Sequence, residues 1–521
     1  MSERTIEGRW GRRWLLPALL GLVLVIAAVV GGGSLSRPSP PPTIPTPISI
    51  QSVPWRVDAE ATLTLHTSPP RAGESISLTI LAPGTGQSQS EARESFPPEI
   101  GGACAELVEG ERGGAAFFGL SGVQLLWLPP EHREIEIALA AAAGVKIIGL
   151  DFDWRHIEPQ PGQYDWVETD DVVALAKRYG LRLAPMLLYT PRWASSVPFA
   201  PLDYHRASPS DYDDYRDFVY TVVNRYKPHG ASRLTKDGYG ITDWVIWNEP
   251  NVRASQEAPE PGRFWNGSLE EYLLLLRAGY EGAHAADPGC NVLNGGLADV
   301  FWAEGKLDLI TALERLYDPD GDGDTADGGR PFFDALNVHT YQAGAPDAAW
   351  YEERLEAILR VMERFGDREK PIWITETGYG SVTEPVEGSP YVDEPTQAEA
   401  VRLIYTACAA YPQVERVFWW SLRDYYSDGS AANAAMEAHY GLLRANFAPK
   451  PAYLAYARLT GSLDRALVLS AVTDGEGTAQ VTVPVSFIAQ PGDYLVFASL
   501  DEATLTAVVT YEASFSEGGR D

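Results

Sequence analysis

Cysteine is nearly absent from these 521 residues: Cys104, Cys290 and Cys408 make up the whole set of three. So sparse and odd a set builds no disulfide framework and leaves at least one thiol unpaired. Basic charge is the second shortage. Lys and Arg number 41 against 71 Asp and Glu, for a formal net charge of -30. Nucleic acid and anionic membrane surfaces are excluded as partners by that repulsion, whereas a neutral polar ligand is compatible with it. The chain is also longer than one minimal domain. A single α/β barrel takes about 250 residues or more, so flanking modules are expected.

Arg9, Arg12 and Arg13 precede an uncharged apolar run from Trp14 to Val30, closed by Gly31-Gly32-Gly33. This reads as a membrane-targeting segment over residues 1–36, a retained anchor or a signal, with the acidic bulk of the chain held outside the cytoplasm. The expected location is therefore extracytoplasmic, membrane-anchored or secreted, and membrane contact is expected through this segment only. Residues 37–54 read as a Pro-rich linker, because proline cannot continue a helix or a sheet interior. Alternation in Ala61-Thr62-Leu63-Thr64-Leu65 and in Ser75 to Ile80 predicts a small β module with a linker behind it, over 55–114. Similar alternation at Ala479 to Val483 and Asp493 to Phe497 predicts a C-terminal β region over 463–521, a candidate to pack on the first.

Between them, over 115–462, short apolar runs alternate with longer amphipathic ones, the βα pattern of an α/β domain. Eight strands are predicted: Ala115 to Gly119, Val145 to Asp151, Leu181 to Leu188, Thr242 to Asn248, Asn291 to Gly295, Phe333 to His339, Pro371 to Glu376 and Val414 to Trp420. Helical periodicity covers Glu131 to Ala143, Asp211 to Tyr226, Leu269 to Ala285, Tyr351 to Phe365 and Pro395 to Ala410, and Lys450-Pro451 opens a closing helix. Eight such units predict a (β/α)8 TIM barrel with small β regions at both ends; a doubly wound open sheet is the alternative.

In a parallel barrel, the site forms where strands end, so polar residues that finish apolar runs are the candidates. Asn248 and Glu249 finish the fourth run, His339 and Tyr341 the sixth, Glu376 the seventh, and Trp419 with Trp420 the eighth. A poorly solvated carboxylate holds its proton more tightly, which suits it to acid catalysis. Two carboxylates about 5 Å apart are what retaining cleavage of a glycosidic bond requires.

Trp247-Asn248-Glu249-Pro250 and Trp373-Ile374-Thr375-Glu376 resemble the strand-four and strand-seven signatures of the clan A glycoside hydrolases, a (β/α)8 group with cellulase-like and β-xylosidase-like families. Trp154 to Trp166, with Ile157-Glu158-Pro159, is similar to the second-strand region of that clan. The resemblance implies an O-glycosyl hydrolase acting on β-linked oligo- or polysaccharides by double displacement, with Glu249 as acid/base and Glu376 as nucleophile. It also implies that Asn248 meets the sugar 2-hydroxyl, that His339 and Tyr341 position nucleophile and substrate, and that Trp419 or Trp420 floors the sugar. Trp193, on the third loop, is a further candidate platform. No cofactor is implied for catalysis. Many clan members carry an arginine inside the second strand that supports the nucleophile; Gly149 holds that place here, with Arg155 nearby. The departure keeps open a carbohydrate-binding barrel without turnover; a transglycosylase, which shares the same residues and differs only in whether water or sugar accepts, is a further reading.

Asp318-Pro319-Asp320-Gly321-Asp322-Gly323-Asp324 carries carboxylates at alternate positions with a glycine sixth, as a calcium loop does. Gly329 stands where such a loop has its bidentate Glu, and Asp327 lies close by. Asp318, Asp320, Asp322, Asp324 and Asp327 are the candidate ligands of a structural Ca2+, at the end of the barrel away from the site. The alternative is a solvated acidic loop.

Overall fold

The computed structural model describes residues 48–52, 61–67, 75–83, 117–122, 125–200, 203–252, 264–299, 307–323, 328–383, 389–424, 438–472, 478–483, 492–500 and 503–511. The apolar run Trp14 to Val30 and Cys104 lie outside these residues. No helix among them is long and apolar enough to cross a membrane.

The strands run β1 (Ile48–Ser52), β2 (Ala61–Thr67), β3 (Ser75–Pro83), β4 (Phe118–Ser121), β5 (Ile147–Asp153), β6 (Arg182–Leu188), β7 (Asp243–Asn248), β8 (Asn291–Asp299), β9 (Leu336–Thr340), β10 (Ile372–Thr377), β11 (Gly380–Ser381), β12 (Tyr391–Val392), β13 (Val414–Trp420), β14 (Leu463–Val472), β15 (Thr478–Val483), β16 (Gly492–Leu500) and β17 (Ala503–Tyr511). Eight of them, in the order β10-β13-β4-β5-β6-β7-β8-β9, close into a parallel barrel. The eight predicted runs are these eight strands, and the open-sheet alternative is ruled out by the closure.

Inside the barrel, Phe418 of β13 fills the space that side chains of β4 and β5 would otherwise use. A Cβ added to Gly119 would meet its ring at 2.1 Å and one added to Gly149 at 3.3 Å. Since β4 lies between β13 and β5, a contact from Gly149 to Phe418 runs through the interior. Gly149 therefore faces inward, and by the two-residue period of a strand so do Asp151 and Asp153. A side chain at Gly149 would press on the Phe418 ring.

The predicted helices form at Pro130–Ala142, Tyr212–Tyr226, Leu269–Ala286, Ala348–Arg364, Glu394–Ala409 and Pro451–Leu459. Their starts follow from capping chemistry. Asp211, Asp347 and Asp393 each accept a backbone N–H of the first turn, and Ser268 with Glu271 forms a reciprocal capping box. The closing helix docks by donating the Tyr456 hydroxyl to the Gly119 carbonyl (2.9 Å) and that of Tyr453 to Leu139 (2.9 Å).

The two flanking β regions share sheets. β2 pairs with β15, and β3 lies between β14 and β16, all antiparallel. One correction concerns the linker. Ile48–Ser52, read as the end of the Pro-rich spacer, is a strand paired with β2, because Ile-Ser-Ile-Gln-Ser alternates and contains no proline.

Candidate active site

The strand Trp244 to Trp247 is fully buried, and at its end the backbone leaves the β region. Trp247 has φ 72° and Glu249 φ 42°, a left-handed conformation that costs non-glycine residues on the order of 1–3 kcal/mol each. The surroundings hold it there. Trp247 Nε1 donates to the Phe264 carbonyl (3.0 Å) and its ring meets Trp265 edge-on at 5.0 Å. Asn251 clamps the following turn onto β8, donating to Ala298 O (2.8 Å) and Leu307 O (2.9 Å) and accepting from Ala298 N–H (2.9 Å). The turn delivers Glu249 into the mouth of the barrel, 5% exposed.

Glu376 enters the same space from β10, 9% exposed, and His339 from β9 is wholly buried. One oxygen of each carboxyl and a ring nitrogen of His339 lie within 4.8 Å of one another. His339 Nδ1 stands 2.8 Å from Glu249 Oε1 and 3.5 Å from Glu376 Oε2, and the Tyr341 hydroxyl donates to Glu376 Oε2 at 2.8 Å. Burial pushes the imidazole below its ordinary value, with the Glu376 charge opposing. The Tyr341 hydroxyl is pushed well up, first by burial and then by the charges of Glu376 and Glu249, so it stays a proton donor. Asn248 is 5% exposed, and its Oδ1 is buried without a hydrogen-bond partner. An unsatisfied buried carbonyl is costly, and here it stands beside Glu249.

The aromatic candidates divide. Trp420 is half-buried and joins Tyr341 (6.4 Å, edge-on) and Tyr440 (5.0 Å) in an aromatic wall next to Glu376. Trp419 is fully buried and donates Nε1 to the Tyr440 carbonyl at 2.9 Å. The expectation that Trp419 could floor a sugar is corrected. Adjacent strand residues point to opposite faces, so only one of the pair can line the mouth. Trp193 packs edge-on against Trp154 at 5.5 Å and donates to the Glu158 carbonyl at 3.0 Å, a contact set separate from the carboxylates. The second-strand signature is structural here. Glu158 accepts from Trp154 Nε1 (2.7 Å) and from the Gly162 N–H (2.7 Å), stapling its own loop.

Arg155 does not take the role of the missing arginine. Its guanidinium pairs with Asp153 (2.5 Å) and lies over the Tyr189 ring (4.7 Å). The interior position beside Glu376 holds Asp151 instead. Burial, then the charges of Asp153 and Glu376, raise its carboxyl well above the usual range, against the pull of Arg155. Asp151 finishes the predicted second run and so carried the same signal as Glu249 and Glu376; the observed strand continues two residues further, to Asp153.

At the opposite end of the barrel, Asp318, Asp320 and Asp322 gather with carboxylate oxygens within 4.8 Å. Asp318 is buried and accepts from the Gly321 and Gly323 N–H groups (3.0 and 3.2 Å), while Asp320 and Asp322 are exposed. Asp324 and Asp327 lie outside the described residues.

Comparison with known proteins gives one family match. Residues 320–447 match the glycosyl hydrolase catalytic core, a span that holds His339, Tyr341, Glu376 and Trp420. A β-xylosidase of Geobacillus stearothermophilus is 22% identical over 327 residues, 54% of this chain and 57% of that protein, so the chain spans little more than half the length of this relative. Among solved structures, a monomeric β-xylosidase from Caulobacter crescentus CB15 is 15% identical with a TM-score of 0.48, over 74% of this chain and 73% of the other. A family 39 glycoside hydrolase from Bacteroides cellulosilyticus WH2 is 18% identical with a TM-score of 0.44, over 76% and 71%.

Proposed function

We propose that this chain is a clan A glycoside hydrolase that cleaves β-glycosidic bonds with retention of configuration, a reading supported by its closed barrel and by the match of residues 320–447 to the glycosyl hydrolase catalytic core. The observation that carries the reading is the spacing: carboxyl oxygens of Glu249 and Glu376 lie within 4.8 Å. Retaining sites hold their carboxyls about 5 to 5.5 Å apart, and inverting sites about 6.5 to 9.5 Å to admit a water.

In the first step Glu249 gives its proton to the glycosidic oxygen while a Glu376 oxygen bonds to the anomeric carbon. The electron pair of the breaking C–O bond leaves with the aglycone. In the second, the Glu249 carboxylate takes a proton from water, the water oxygen bonds to the anomeric carbon, and Glu376 departs as carboxylate. Tyr341, donating to Glu376, holds the attacking carboxylate in line. Asn248 offers its unsatisfied carboxamide to a sugar hydroxyl, and Trp420 supplies an apolar face for the ring. If sugar rather than water accepts in the second step, the same residues perform transglycosylation; product analysis at high acceptor concentration separates the two.

The test is a panel of aryl β-glycosides of glucose, xylose, galactose and mannose. Wild-type turnover of at least one is expected, falling by about 10⁴-fold or more in Glu376→Gln. Undiminished turnover in that variant would remove Glu376 as nucleophile, and sugar binding without product in the wild type would favour a binding barrel. The proposal extends to an extracytoplasmic location, supported by the arginine-flanked apolar run, and to a structural Ca2+ at Asp318, Asp320 and Asp322, supported by their clustered oxygens.

A further inference from the structure

We propose that Thr375 and Asn337 are positioning residues that fix the tautomer of His339, so that its Nδ1 accepts a hydrogen bond from the Glu249 carboxyl and keeps on Glu249 the proton it later delivers to the leaving oxygen. This deepens the glycosidase reading and rests on it. Four buried side chains, Asn294, Asn337, Thr375 and His339, form a chain of hydrogen bonds outward from β8.

Asn294 is oriented by three contacts. Its Nδ2 donates to Gly295 O (2.8 Å) and Asn337 O (2.9 Å), and its Oδ1 accepts from the Asn337 N–H (2.8 Å). Asn337 in turn donates Nδ2 to the Asn294 carbonyl (3.1 Å), which leaves its Oδ1 turned to Thr375 Oγ1 at 2.6 Å. A carboxamide oxygen cannot donate, so the hydroxyl proton of Thr375 points at Asn337. That commits the only proton Thr375 has. Toward His339 Nε2, 3.0 Å away, Thr375 can act solely as acceptor. Nε2 therefore carries a hydrogen.

With Asn294, Asn337 and His339 at zero exposure and Thr375 at 6%, a second proton on the ring is disfavoured by burial, in keeping with the downward push on His339. Nδ1 then presents a bare lone pair to Glu249 Oε1 at 2.8 Å. Two acceptors do not meet at that distance unless a proton lies between them, and the proton is that of the Glu249 carboxyl. The ionisable groups facing His339 are Glu249, Glu376 and Tyr341; of these Glu376 accepts the Tyr341 hydroxyl, a contact that favours its charged form. The ring packs into room left by Gly296 of β8, where a Cβ would meet His339 Nε2 at 2.0 Å. The resting site thus stores Glu249 as the acid that the first step needs.

Thr375→Val keeps the volume and deletes the acceptor. The ring is then free to carry its hydrogen on Nδ1 and donate to an ionised Glu249, which drains the acid. In the full-length chain, kcat/KM should fall about ten- to hundredfold on aryl glycosides with poor leaving groups, and less than about threefold on dinitrophenyl glycosides, which leave without help. The alkaline limb of kcat/KM should move to lower pH, and Thr375→Ser should restore both. Equal loss on good and poor leaving groups with an unmoved alkaline limb would overturn the inference and leave the hydrolase reading standing. A wild type that turns over no glycoside would remove that reading and the inference with it. Imidazole ¹⁵N shifts of the histidine-labelled protein, assigned by His339→Gln, test the tautomer without turnover: hydrogen on Nε2 supports the relay, and hydrogen on Nδ1 contradicts it.

Discussion

Two acidic triads sit at opposite ends of one barrel, each with its ligating atoms within 4.8 Å of one another. Glu249, His339 and Glu376 are buried, whereas of Asp318, Asp320 and Asp322 only the first is. Spacing is thus the same and solvation is opposite. In the buried triad, water cannot screen the charges, so a proton must be placed, and His339, Tyr341 and the Thr375–Asn337 pair determine where it goes. In the exposed triad, water screens the repulsion and backbone N–H groups satisfy Asp318, and the Ca2+ proposed above is the ligand to test there. Burial turns a carboxylate cluster from an ion holder into a device for moving protons.

The comparison breaks most visibly at Glu249. Glu249→Ala should lower kcat/KM on poor leaving groups by about 10²- to 10⁴-fold, and azide should rescue turnover of good leaving groups by attacking the glycosyl-enzyme that no longer has its base. Failure of azide to rescue, with no glycosyl azide formed, would count against the acid/base assignment. The buried triad also predicts a pH dependence of stability. The folded state holds His339 below its ordinary value of about 6.5, so below that pH the unfolded chain binds a proton the folded chain refuses. Stability should fall as pH drops below about 6.5, and His339→Gln should flatten that part of the curve in urea titrations. An unchanged slope in the variant would assign the dependence elsewhere. The smallest effect belongs to the exposed triad. Saturating Ca2+ should raise Tm by about 2 to 4 °C over the chelated protein. Asp320→Asn combined with Asp322→Asn should remove the shift without changing kcat/KM, and a shift that survives the double variant would place the ion elsewhere.

The barrel was legible because its eight strands are short apolar runs bounded by polar ends, a pattern that burial on both faces imposes directly on sequence. Glu249 and Glu376 were legible for the same reason, since each ends such a run. The rest of the site was hidden by three-dimensional facts. Trp419 and Trp420 look alike in sequence, and only strand alternation at the barrel mouth separates core from wall. Thr375 and Asn337 read as ordinary strand residues until the barrel closes β10 onto β9 and sets them side by side. The sharing of sheets between the two ends of the chain rests on pairings such as Ser77 with Ser470, a separation over which local patterns carry no register.

The most direct measurement is covalent trapping with a 2-fluoro aryl β-glycoside of the sugar the panel selects, followed by peptide mass mapping. The account predicts stoichiometric label on the peptide carrying Glu376, none on that carrying Glu249, and release of the label on reactivation with acceptor. Label on Glu249, or slow turnover of the reagent with inverted product and no adduct, would contradict it.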